Sequence, residues 1–121
     1  VNPNVAIAVG GALGALFRFW AGSAIQRLAV GSQFPWGTLV VNIAGAFALG
    51  FVLTALPNRS LWTAAIGTGF LGAFTTFSTF SYEVVSLFNR GLATTAAFYL
   101  ATSLIGGIIG VLAGSWAGSH L

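Results

Sequence analysis

Charge is what this sequence lacks. Its 121 residues include four arginines, one acid and no lysine, so 4% are charged. A soluble domain carries about a quarter. Five ionised side chains cannot cover a surface facing water, so most of this surface must face lipid. Cysteine is absent, which excludes disulfides, thiolate metal sites and cysteine nucleophiles. The one acid is Glu83 and the one histidine is His120. Paired carboxylates are therefore excluded, a Ser-His-acid set is poorly supplied, and an enzyme is not expected. The net charge of +3 rests on Arg18, Arg27, Arg59 and Arg90, which form no basic run. They read as interfacial anchors rather than a nucleic-acid surface. The first apolar stretch has no basic start and carries Arg18, so no cleavable signal peptide is expected.

What is there is apolar, at 57% of the chain. Roughly 20 apolar residues cross about 30 Å of hydrocarbon. Four stretches of that kind fit, over residues 4–28, 36–56, 61–88 and 92–118, which predicts an all-α membrane protein with one four-helix domain. Pro35-Trp36 suits a helix start, and Trp36 and Trp62 lie near span ends as interfacial aromatics should. The links are short and rich in Pro, Gly or polar residues, so successive helices run antiparallel. Arg27 and Arg90 fall on one side, Arg59 and the N-terminus on the other. That bias is too weak to fix orientation by the positive-inside rule. Insertion in both orientations is expected, and with it an antiparallel homodimer closed by a twofold axis.

Glycine is abundant and ordered. Gly106, Gly110, Gly114 and Gly118 recur every fourth residue, as do Gly10 and Gly14. Such stripes allow close helix approach in lipid, within or between subunits. Gly67-Thr68-Gly69-Phe70-Leu71-Gly72 fits G-x-G-x-x-G, but no βαβ unit surrounds it, and the dinucleotide reading is discarded. Asn58-Arg59-Ser60 matches a glycosylation sequon by chance.

The third stretch differs. Thr75, Thr76, Ser78, Thr79 and Ser81 crowd seven positions beside Gly72, interleaved with Phe74, Phe77 and Phe80. A lone Ser or Thr bonds its own helix and means little; five together predict a helix broken near its middle, with hydroxyls satisfying freed backbone groups. Irregular backbone at membrane depth survives only inside protein or along a cavity. Half-helix ends there can hold ions. The phenylalanines share a face; they either pack or present their positive ring edges to an anion. Thr38 and Asn42 form a polar stripe in the second span, Tyr99, Thr102 and Ser103 another in the fourth. Arg18 lies deep enough to need a watery vestibule or long snorkelling. Glu83 is an intramembrane acid, either functional or paired with an arginine at a helix end.

These residues resemble the fluoride ion channels of the Fluc (CrcB) type. The resemblance is carried by Gly11-Ala12-Leu13-Gly14-Ala15 with Arg18, by Trp36-Gly37-Thr38-Leu39-Val40-Val41-Asn42, and by Gly69-Phe70-Leu71-Gly72 running into Thr75-Thr76-Phe77-Ser78-Thr79-Phe80-Ser81 with Glu83. It covers nearly the whole chain. It implies an antiparallel dual-topology homodimer in the inner (plasma) membrane, with two fluoride pores and passive export of cytoplasmic fluoride. It also implies a structural sodium ion at the dimer centre, held by backbone carbonyls of Gly72 and Thr75. The pore residues implied are Asn42, Phe77, Phe80, Thr79, Tyr99 and Ser103, with Arg18 in a vestibule. Members often have a second serine where this chain has Gly107; Thr102 or a water would have to compensate. The small multidrug-resistance exporters resemble the chain in size and hydropathy, but they need a Glu in the first helix, which is missing here. A packing subunit would explain the glycine stripes and leave the hydroxyl-phenylalanine cluster unexplained.

Overall fold

The computed structural model describes residues 2–56, 58 and 60–121, and among them every regular element is helical. Helix α1 spans Pro3–Leu28. It starts where Asn2 accepts the Asn4 N–H on its side chain at 2.8 Å, with Pro3 just inside the helix. That pairing of cap and proline suits the first turn, whose N–H groups have no helical partner. Helix α2 spans Trp36–Ala55. A π-helical stretch, Thr63–Leu71, then runs into the short turn α3, Gly72–Phe74. The chain leaves helical geometry at Thr75 (φ −85°, ψ 157°) and Thr76 (φ −148°, ψ 120°), and α4 resumes at Phe77–Asn89. Helix α5 spans Ala93–Gly118.

Three helices, α1, α2 and α5, are long and apolar enough to cross a membrane. The chain is a multi-pass membrane protein. The segment between α2 and α5 is broken, and neither half alone has the length of a span. Arg59 and Pro57 lie outside the described residues, so the Arg59 share of the charge balance and part of the Asn58 sequon do too. Arg27 and Arg90 are both exposed.

Helix α4 stops where Gly91 adopts φ +77°. The Leu92 N–H returns to the Leu87 carbonyl at 2.9 Å and Gly91 to Phe88 at 3.1 Å. These two bonds form a Schellman stop, which needs the left-handed residue that glycine tolerates. The turn reverses the chain and lays α5 against α4. The resulting core joins Leu39 of α2, Phe80 and Leu87 of α4, and Ala96 and Tyr99 of α5.

The glycine stripes pack within the subunit. A Cβ on Gly110 would press on the Ile43 carbonyl of α2 at 3.2 Å, one on Gly114 on the Phe47 carbonyl, and one on Gly118 on that of Phe51 at 2.7 Å. The α1 stripe meets the π-helical stretch instead, Gly10 against Ala65 and Gly14 against Phe70. Gly114→Val should therefore push α2 and α5 apart. Overpacking of this kind costs about 1–3 kcal/mol, read as earlier thermal unfolding in detergent. Gly107→Ala is the control, because a Cβ there meets nothing within 4 Å. Equal unfolding temperatures for both variants would contradict the packing described.

Candidate functional site

The break leaves backbone groups without helical partners, and side chains from two other helices take them. Asn42 of α2 pairs with Thr76 in both directions. Its Nδ2 donates to the Thr76 carbonyl at 3.0 Å, and its Oδ1 accepts the Thr76 N–H at 2.8 Å. A primary amide has the same donor and acceptor geometry as a peptide, so Asn42 stands in for a missing strand partner. Arg18 of α1 donates from Nε to the Ala73 carbonyl at 3.1 Å.

Local hydroxyls finish the work. Thr75 Oγ1 donates to the Leu71 carbonyl at 3.1 Å. Thr76 caps α4 by accepting the Thr79 N–H at 3.2 Å. Ser81 bonds back to the Phe77 carbonyl at 2.9 Å, while Ser78 is exposed. Of the five hydroxyl residues, Thr75, Thr76 and Ser81 thus bond backbone, Ser78 is exposed, and Thr79 lines a cavity. The Asn42 clamp was not legible as such. A polar stripe signalled Asn42, but only the fold brings it to Thr76.

Two clefts meet at the clamp. The first, about 250 Å3, is lined by Asn42, Thr75, Thr76, Phe77, Phe80 and Ser103, with Leu104. The second, about 320 Å3, holds Arg18, Gln26, Thr38, Thr76, Thr79 and Glu83 among its walls. Both include Thr76. In the first cleft, the Ser103 hydroxyl is buried and has no hydrogen-bond partner. Buried hydroxyls normally find one, so the Ser103 hydrogen is unspent. Asn42 keeps its second amide hydrogen. Phe77 and Phe80 sit with ring centroids 6.1 Å apart, yet differ in setting. Phe80 is 7% exposed and meets the Tyr99 ring edge-on at 5.1 Å, whereas Phe77 is 79% exposed in the single subunit.

Of the expected pore residues, Asn42, Phe77, Phe80 and Ser103 come together in this cleft. Thr79 faces the second cavity instead. Tyr99 is fully buried, and its hydroxyl donates to Glu83 Oε1 at 2.9 Å. Glu83 thus has a tyrosine as its hydrogen-bond partner. Thr102 does not extend the polar track, because its hydroxyl bonds the Phe98 and Tyr99 carbonyls at 2.8 and 3.2 Å. Beyond Ser103, Gly107 lines a groove of Ala46, Leu104, Ile108, Val111 and Leu112. The groove's only hydroxyl is that of Ser103.

The stripe Thr76, Thr79, Glu83, Ser86 and Arg90 alternates spacings of three and four, which places it on one face of α4. It lines the second cavity and then a third cleft of about 330 Å3 that contains Glu83, Ser86, Arg90, Gln26 and Tyr82. Gln26 was passed over in the sequence, where nothing marked it. It donates to the Phe34 carbonyl at 3.1 Å and accepts the Gly37 N–H at 3.0 Å, holding the start of α2. Pro35 provides no side-chain cap there.

Gly72 and Thr75 sit at the break. The Thr76 N–H, which would serve the Gly72 carbonyl in an unbroken helix, goes to Asn42 instead. Thr75 lies between helices and Gly72 is exposed in the subunit. Among the described residues, no cluster of His, Asp or Glu could hold a metal. A cation here would need backbone carbonyls, and the break supplies candidates.

The family described as CrcB-like protein, Camphor Resistance (CrcB), matches residues 5–115. A protein of Agrobacterium fabrum named fluoride-specific ion channel FluC is 45% identical over 123 residues, covering 98% of each chain. One of the same name from Acidobacterium capsulatum is 43% identical, covering 95% of this chain and 94% of its own. Another from Gloeobacter violaceus is 44% identical over 98% of this chain and 94% of its own. With the matched region running from α1 to α5, and relatives this similar from end to end, the chain belongs to the CrcB-like family of ion channels.

Proposed function

We propose that the chain is a fluoride channel that lets cytoplasmic fluoride leave passively through the plasma membrane. The observation that carries this reading is one cleft walled by Asn42, Phe77, Phe80 and Ser103, whose hydroxyl is buried without a hydrogen-bond partner. Fluoride is small and strongly hydrated, so a pore must replace its water with donors. Ser103 O–H, the free Asn42 N–H and two ring edges offer partial positive charge without a full cation. Binding then stays weak enough for the ion to leave. On this reading the path continues past Thr76 into the adjoining cavity, which Thr79 and Arg18 line, and Tyr99 acts through its bond to Glu83.

The broken segment, third in chain order, also spans the membrane, crossing as two half-helices. The channel is an antiparallel dual-topology homodimer with two pores. The weak arginine bias supports this, and so does the cleft, which a single subunit leaves open beside the exposed Phe77. A second copy would close it. At the dimer centre, carbonyls of Gly72 and Thr75 from each subunit fit a structural sodium ion. Two carbonyls from one subunit are too few for a cation that prefers a larger oxygen shell, so the site needs both copies.

The test is efflux from liposomes. Protein reconstituted with fluoride inside should release it rapidly down its gradient, read by a fluoride electrode, with negligible chloride release. Slow efflux that requires a proton gradient would indicate a transporter. No efflux at all would remove the channel reading.

A further inference from the structure

Arg18 has two possible uses. It lines the 320 Å3 cavity with Thr76, Thr79 and Glu83, where its charge could attract anions. It also donates to the Ala73 carbonyl from another helix, 55 residues away in sequence. In an unbroken helix that carbonyl would accept the Phe77 N–H. Because Thr75 and Thr76 are extended, Phe77 opens a new helix and that arrangement is lost. The last carbonyls of a helix carry negative partial charge and favour a cation beside them. Arg18 supplies both the missing donor and the cation.

Three cross-helix contacts then fix the break. Arg18 holds Ala73, just before it. Asn42 holds Thr76, at its far edge. Between them, Thr75 lies against Gly45 of α2, where any Cβ would collide with the threonine methyl. Each contact comes from α1 or α2, and none from the broken segment itself.

We infer that Arg18 is a positioning residue: its guanidinium braces the end of the first half-helix, so that the break holds Thr76 in register with Asn42. The guanidinium keeps its unit charge beside the 320 Å3 cavity. This brace differs from a vestibule charge, whose effect would act at a distance and be screened by salt. The brace acts through one short, partly buried hydrogen bond, and salt screens such contacts far less.

The full-length protein in liposomes distinguishes the two. Arg18→Gln and Arg18→Met should raise amide hydrogen exchange at Thr76 and Thr79, whose N–H groups bond Asn42 and Thr76, by about tenfold, equivalent to 1.4 kcal/mol. Fluoride flux should fall by about the same factor, equally at low and high ionic strength. Arg18→Lys keeps a charged donor and should restore much of the exchange protection. An ester in place of the peptide bond between Ala73 and Phe74 weakens the Ala73 acceptor and leaves Arg18 intact; because it also removes the Phe74 N–H, it is read against the same ester in Arg18→Met, and it should raise exchange in the parent and add little in Arg18→Met. A flux loss that shrinks at high salt, with exchange unchanged, would overturn the brace. So would an ester variant that exchanges like the parent. The flux arm rests on the channel reading above and the exchange arm does not, so the two can fail separately.

Discussion

Replacing Asn42 with leucine is expected to abolish fluoride flux while leaving α1, α2 and α5 in place. Leucine fills a similar volume but offers no polar atom. The Thr76 N–H and carbonyl, now bonded to Asn42 at 2.8 and 3.0 Å, would be left without their side-chain partner. Each unpartnered group costs about 1–3 kcal/mol. Since 1.4 kcal/mol is tenfold in a population, losing two such bonds depletes the native break by on the order of 100-fold. The cleft also loses the remaining Asn42 N–H. Asn42→Asp keeps an acceptor and removes the donor. A carboxylate still accepts the Thr76 N–H, but it faces the Thr76 carbonyl with no donor and adds negative charge to an anion path. Both variants should fall below detection in the electrode assay. Flux above a tenth of the parent's in Asn42→Leu would show that the clamp is dispensable.

The second large effect concerns the ring pair. Phe77→Ile and Phe80→Ile should each lower flux by about tenfold, the equivalent of losing a ring-edge contact of about 1.4 kcal/mol that a branched aliphatic side chain cannot supply. The two report on different things. Phe77 is 79% exposed in the subunit, so its replacement costs little packing there and isolates ring chemistry. Phe80 is buried against Tyr99 and Leu39 in the core, so its replacement also costs up to about 1.5 kcal/mol of packing. Thermal unfolding should therefore shift for Phe80→Ile and not for Phe77→Ile. If both variants conduct like the parent, the rings pack and do not solvate an anion.

Much of the site was legible because lipid makes polarity conspicuous. Asn42, Ser103 and the Thr75–Ser81 cluster stood out against an apolar background, and the glycine stripes announced close helix contacts. Their assignment was not legible. Whether Gly114 meets its own α2 or another subunit depends on which helix the Gly91 turn brings alongside. The hydroxyl cluster looked sufficient to satisfy the break, yet the longest-range work falls to Asn42 and Arg18, whose partners lie 34 and 55 residues away. Glu83 carried equal expectations of function and of an arginine partner, and Tyr99 takes its carboxylate instead. Gln26 gave no signal, since one glutamine near a helix end is ordinary.

The sequence by itself determined the solvent. Five charges in 121 residues require lipid, apolar runs of span length require helices, and five hydroxyls beside Gly72 require an interruption. Those conclusions follow from local composition, because each span must satisfy its own backbone hydrogen bonds. The tertiary structure alone decided who completes the interruption. At Thr75 and Thr76 the backbone can no longer satisfy itself, so its partners have to come from elsewhere in the fold. They come from Arg18 and Asn42, on helices that the local sequence does not name.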